Sequence, residues 1–328
     1  MHDPFDMAPA WLVPQLFFGV NWDEDERRLK PQRWPESWDG YPVMPMLLPK
    51  SHLFLRYCVV QTESGNPFTK RLMLLLGTSS GIDIPSCQAW RVTGAVTGLM
   101  ALAHLLMLDP RDAAPIPVPP EYMPALELSA PDLLETLGIG HAMGDPVREG
   151  LVSLVSIGSR WDELMLLLPA LLLDHDLWRG AQYHLASTSV FAFLGDDLRD
   201  TLYDGDVVPD SPYRMVDAET AVWLAHKAVE SVIGNPPSDK RKLARRLKDL
   251  GVSDFPGVWV HEVPLDLATR VARFVDVRDR RTAHGRHHAR RAALTYFEIM
   301  DYQYFTSSLL LHYAERVLER FGLPTSSS

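Results

Sequence analysis

The sequence predicts a mainly α fold in which a helical C-terminal bundle follows an α+β N-terminal region containing a β-hairpin or small sheet. Three observations predict it. From about residue 130 onward, apolar residues recur at helical spacing. Two apolar, partly β-branched runs, 52–61 and 70–76, flank the turn-forming stretch Glu63, Ser64, Gly65, Asn66 and Pro67. With 328 residues, 46% apolar and 23% charged, the chain is long enough for two domains and does not have the composition of a disordered, collagen-like or disulfide-stapled protein.

Taken in order, residues 1–50 are rich in Trp, Pro and charge, with an acidic run at 23–26 and prolines at 31, 35, 42, 45 and 49, and read as an irregular covering layer. The two hairpin runs come next, followed by a helix at 89–108. A proline-heavy connector at 110–124 can be neither a helix interior nor a central strand. Ser129 and Ala130 before Pro131 and Asp132 mark a helix start. Further helices are predicted at 147–157, 160–174, 178–203, 217–233, 238–250, 264–284 and 290–321. Asp217 reads as an N-cap, with Val222, Ala225 and Val229 as the apolar stripe and Gly234, Asn235, Pro236 and Pro237 as the stop. Ser238 reads as the cap of a strongly basic helix containing Lys240, Arg241, Lys242, Arg245, Arg246 and Lys248, stopped by Gly251. The expected organisation is an acidic α+β region at 1–125, a helical connecting region at 126–177 and a helical domain at 178–322.

Charge divides the chain in a similar way. The net charge of −10 is uneven: residues 1–216 carry 28 acids against 15 bases, and residues 217–328 carry 14 acids against 17 bases. A polyanionic partner is therefore disfavoured over the body of the chain and admitted near its C-terminal part. The two cysteines, Cys58 and Cys87, make neither a zinc site nor a disulfide framework, and point to a reducing cytoplasm. No basic segment leads into an apolar one at the N-terminus, so no secretory signal is expected. The apolar runs 93–108 and 164–173 fall short of a membrane span, and His104, inside the first, reads as a core histidine. Asp174, His175 and Asp176 read as a helix end, and Ser79, Ser80 and Gly81 as a turn.

The chemistry concentrates in residues 278–291, where six arginines and three histidines (His284, His287 and His288) stand against one acid, Asp279. Imidazoles that titrate near neutrality beside permanently charged guanidiniums supply what phosphodiester cleavage without a metal requires: a proton-transfer group and cations where charge develops. On a continuous helix, His284 shares a face with Arg280, Arg281, His287 and His288, whereas Arg278, six residues earlier, points about 120° away. A joint role for Arg278 and His284 needs a helix start, bend or unwinding between them, or two subunits. The three histidines have a spacing that could hold zinc, but the flanking arginines disfavour a dication, so no metal and no cofactor are expected. Glu230, on an otherwise apolar stripe, either anchors an arginine of the motif or marks the edge of that stripe.

The stretch from Arg278 to Gly285, Arg-Asp-Arg-Arg-Thr-Ala-His-Gly, resembles the signature of the HEPN domain superfamily: an Arg followed by a polar residue, with a His several positions on and an Ala-His-Gly ending. Upstream, the helix at 221–234 with Ala228, Val229 and Glu230 is similar to the family's Ala-x-Glu helix. The Pro236 and Pro237 turn, the basic helix and Gly251-Val252 follow in the family's order. The resemblance covers roughly residues 178–322. It implies a dimerising helical bundle with paired Arg and His residues in a shared cleft, and the metal-independent endoribonuclease activity of toxins or antiphage effectors. Carried over, it makes His284 the general acid or base, Arg278 the ligand of the scissile phosphate and Asp279 the residue that orients one of them. Arg280, Arg281, Arg286, His287, His288 and Arg290 would contact RNA, and Glu230 would support the site. Arg286 stands where one branch of the family has a Tyr. The implied partners are RNA, a second copy of the chain through the C-terminal bundle and a regulatory protein, with no membrane. Two rival expectations are a non-catalytic dimeric module that binds a nucleotide or RNA, and a membrane-associated assembly protein using the apolar runs.

Overall fold

A computed structural model describes residues 10–13, 20–23, 28–31, 46–47, 53–61, 70–78, 85–102, 116–118, 166–192, 212–236, 239–253, 255, 266–277, 294–323 and 325. The described part is mainly α. The chain divides into two compact units, Met1–Thr97 with Leu108–Met165, and Gly98–Met107 with Leu166–Ser328. The expected helix at 147–157 lies outside the described residues.

In the first unit, β1 (Ala10–Val13), β4 (Met46–Leu47), β5 (Leu53–Gln61), β6 (Lys70–Thr78) and β7 (Ile116–Val118) form a five-stranded sheet in the order β4-β5-β6-β1-β7. Strands β2 (Val20–Asp23) and β3 (Arg28–Pro31) pair separately. The longest ladder runs from Leu53 opposite Thr78 to Gln61 opposite Lys70. Helix α1 (Ser86–Leu102) begins after Pro85 and belongs to the first unit through Thr97 and to the second from Gly98; its buried residues Ala89, Val92, Val96 and Leu99 repeat every three or four positions.

The second unit holds α2 (Leu168–Leu173), α3 (His175–Ala192), α4 (Pro212–Ile233), α5 (Lys240–Asp249), α6 (Leu267–Val277) and α7 (Tyr296–Arg320). Its core is the trio α3, α4 and α7, with α2 against α3 and α7, and α5 against α6. Small residues explain the close approach. Gly180 of α3 sits where an added Cβ would lie 3.0 Å from the Ala228 carbonyl oxygen of α4 and 3.2 Å from Leu310 Cδ2 of α7. Ala221, Ala225 and Ala228 line the buried face of α4. Polar bonds tie the same three helices: the Ser187 hydroxyl donates to the Ala221 carbonyl (2.7 Å) and accepts from Gln303 Nε2 (3.0 Å), which also reaches the Ser187 carbonyl (3.1 Å).

Several helix starts differ from the sequence reading, each for a local reason. Helix α4 begins at Pro212, whose fixed φ suits a first turn, so Asp217 lies inside the helix and does not cap it. Asp239, not Ser238, caps α5, its carboxylate accepting from the Arg241 and Lys242 amides. Asp174 ends α2 and also starts α3, since its Oδ1 accepts from the Asp176 and Leu177 amides; the helix expected from 178 thus begins at His175. Helix α7 starts at Tyr296, not at 290, because Thr295 and Glu298 close a capping box. Gly234 (φ +68°) and Gly251 (φ +75°) take the left-handed conformation just past α4 and α5, where the stop signals predicted an end.

Candidate functional site

The segment that carries the sequence motif, including Arg278, Asp279, Arg280, Arg281, His284, Arg286, His287, His288 and Arg290, lies outside the described residues. Its two flanks are described. Helix α6 runs up to Val277, immediately before Arg278, and α7 opens at Tyr296.

Helix α6 is held at its start by Asp266, whose Oδ1 accepts the Thr269 amide (2.9 Å) and whose Oδ2 accepts the Thr269 hydroxyl (2.6 Å). The Thr269 side-chain bond, then its backbone bond, keeps the Asp266 carboxyl below its ordinary range. The apolar stripe Leu267, Val271 and Phe274 turns inward. Phe274 is the anchor: its ring stacks on Tyr302 of α7 (centroids 4.5 Å apart, planes at 18°) and meets His226 of α4 edge-on at 5.3 Å and Phe305 at 6.1 Å. Aromatic packing thereby fixes α6 to α7 within one turn of the motif's first arginine.

Beside that stack, a small open pocket is lined by Arg270, Arg273 and Phe274 from α6 and by Glu298, Asp301, Tyr302 and Phe305 from α7. Arg270 is buried and Arg273 exposed. The pocket brings two guanidiniums and two carboxylates around an aromatic rim, and one of those carboxylates, Glu298, already accepts the Thr295 amide. The sequence reading did not single out these residues. A usable signal was present in Arg270, Arg273 and Phe274, a cationic pair at helical spacing leading into Arg278.

Glu230 lies in the last turn of α4, its side chain 17% exposed, with Lys227 Nζ at 2.6 Å; the same amine stands 5.8 Å over the Trp223 ring. His184 and His226 are both buried in the bundle. Among the described residues, no group of three or more His, Cys, Asp or Glu side chains is arranged to hold a metal ion. No described helix is long and apolar enough to cross a membrane.

Comparisons with protein-family models, with curated proteins and with solved structures find nothing that matches this chain.

Proposed function

We propose that the chain is a metal-independent endoribonuclease of toxin or antiphage type. The observation that carries the reading is the spacing of Arg278 and His284 within a segment of six arginines and three histidines. In this reading a HEPN-like domain at 178–322 dimerises through its bundle. The acidic α+β region at 1–125 senses a signal or receives a regulatory protein in the cytoplasm.

The reaction is transesterification. A ribose 2′-oxygen attacks the adjacent phosphorus, its proton passing to a base, and the bond to the 5′-oxygen breaks as that oxygen is protonated. The products are a 2′,3′-cyclic phosphate and a 5′-hydroxyl. The His284 imidazole serves one of the two proton transfers. The Arg278 guanidinium neutralises the charge that gathers on the non-bridging oxygens, and Asp279 orients one of the pair. Arg280, Arg281, Arg286, His287, His288 and Arg290 hold neighbouring phosphates, and Glu230 supports the site from α4. The pocket lined by Arg270 and Arg273 supports the reading by placing two guanidiniums on the helix that leads into Arg278.

The test is incubation of the full chain with total RNA in EDTA, beside His284→Ala and Arg278→Ala. Wild type should cleave, and each variant should lose on the order of 100-fold in rate. Equal cleavage by all three overturns the assignment. The pocket between α6 and α7 favours one second reading, a dimeric module that binds a nucleotide or RNA without cutting it. Its mark is binding that Arg273→Gln weakens, with intact RNA recovered.

A further inference from the structure

The first turn of helix α5 runs against the helix dipole, while Arg246 and Lys248 in its last turn run with it. Lys240, Arg241 and Lys242 occupy its first turn, where the helix dipole favours acids, and no acidic residue stands in that turn. Arg241 and Arg245, and likewise Lys242 and Arg246, are like charges four residues apart, which repel along a helix. A local rule broken in this way, with no gain inside the helix, is expected where a surface serves a partner.

The packing shows which of these cations belong to the fold. Leu243 and Leu247 are buried. Arg246 turns back to donate to the Ile233 and Asn235 carbonyls (3.1 and 2.7 Å), closing the C-terminus of α4. Asp239 is occupied by the backbone amides it caps, and Asp249 ends the helix. Arg241, Arg245 and Lys248 are exposed, and among the described residues they form no ion pair with an acid. At 100° per residue these three fall within an arc of about 60° opposite the buried leucines, and at 1.5 Å per residue they span about 10 Å.

From this geometry we infer that the stripe Arg241, Arg245 and Lys248 is a phosphate-tracking surface for single-stranded RNA, separate from the 278–291 segment. Three cations in line, flanked by the exposed Lys240 and Lys242, match a linear polyanion. They do not match an anionic lipid surface, because an interfacial helix needs an exposed apolar face and both leucines of α5 are turned into the bundle, leaving Ala244 as the one exposed apolar residue of the helix. The choice of RNA among polyanions rests on the nuclease reading above. Helix α5 packs on α6, the helix that leads into the motif.

The experiment measures binding of the full chain to a fluorescent, 2′-O-methylated single-stranded RNA, which lacks the nucleophile and cannot be cut, across a salt titration. Each neutralised phosphate on a single strand contributes about 0.7 to the slope of log affinity against log salt. The triple variant Arg241→Gln, Arg245→Gln, Lys248→Gln should therefore flatten that slope by about 2 and weaken binding roughly tenfold at low salt. Glutamine keeps helix propensity, and a thermal melt by circular dichroism establishes that the variant is folded. A second variant, Arg241→Lys with Arg245→Lys, should retain the wild-type slope. An unchanged slope in the folded triple variant overturns the proposal, as does tighter, stripe-dependent binding to phosphatidylserine vesicles than to RNA. His284→Ala should slow cutting of unmodified RNA on the order of 100-fold and leave this slope intact. A chain that shows the stripe-dependent slope and cuts nothing therefore sinks the nuclease reading alone.

Discussion

Ser187 shows how one small hydroxyl can join three helices. It donates to α4 and accepts from Gln303 of α7 while sitting on α3, all in the buried core. Removing it leaves the Ala221 carbonyl and the Gln303 amide each one partner short in a place water does not reach. Ser187→Ala should cost about 1 to 3 kcal/mol in urea unfolding, more than a surface Ser→Ala change. A loss within a few tenths would mean that a water or another donor fills the gap. Asp174 works similarly at the other end of the unit. Its Oδ1 caps α3, and its Oδ2 accepts the Tyr313 hydroxyl at 3.0 Å, which in turn accepts from Arg320. Burial is the main reason the Tyr313 phenol is held above its ordinary value. As a sequence, Asp174, His175 and Asp176 read as a helix end; that one residue closes α2 with its backbone N–H and opens α3 with its carboxylate depends on the tight turn between them.

Helix termini are where reading by element and structure diverge most. Sequence and structure place three starts differently: Asp217 as cap against a start at Pro212, Ser238 against Asp239, and residue 290 against Thr295. The choice belongs to the side chain whose oxygen reaches the first amides once the preceding segment has turned, and that is geometry, not composition. Interiors are easier to read, because the buried positions of α4 and α7 recur every three or four residues over many turns. For α6 the cap also sets a pH dependence. The Asp266 carboxyl is held low by its bonds to Thr269, so its contribution is present above the ordinary aspartate range and lost as pH falls through the lowered value. Asp266→Ala should cost about 0.5 to 2 kcal/mol at neutral pH. Acid titration of stability in this variant should lack the corresponding loss below about pH 4. An acid limb identical to wild type would show that Asp266 does not cap α6 in solution.

At the scale of the molecule, the second unit depends on close backbone approach. Gly180→Val should destabilise it by about 1 to 3 kcal/mol or more, because the nearest obstacles include a backbone carbonyl that cannot rotate aside. A melting temperature equal to wild type would show that α3 and α4 can separate at little cost. Periodicity, punctuating glycines and prolines, and uneven charge are local properties, and from them alone the chain reads as mainly α, with a basic helix at 238–250 and an Arg-His segment at 278–291. Local properties could not show that Phe274 stacks on Tyr302, that Arg270 and Arg273 share a pocket with Asp301, or that Arg246 serves α4 while Arg241, Arg245 and Lys248 face outward. Those pairings join residues separated by ten or more positions. Their energy comes from excluding water between surfaces that meet only once the helices have packed, so no window of sequence contains them.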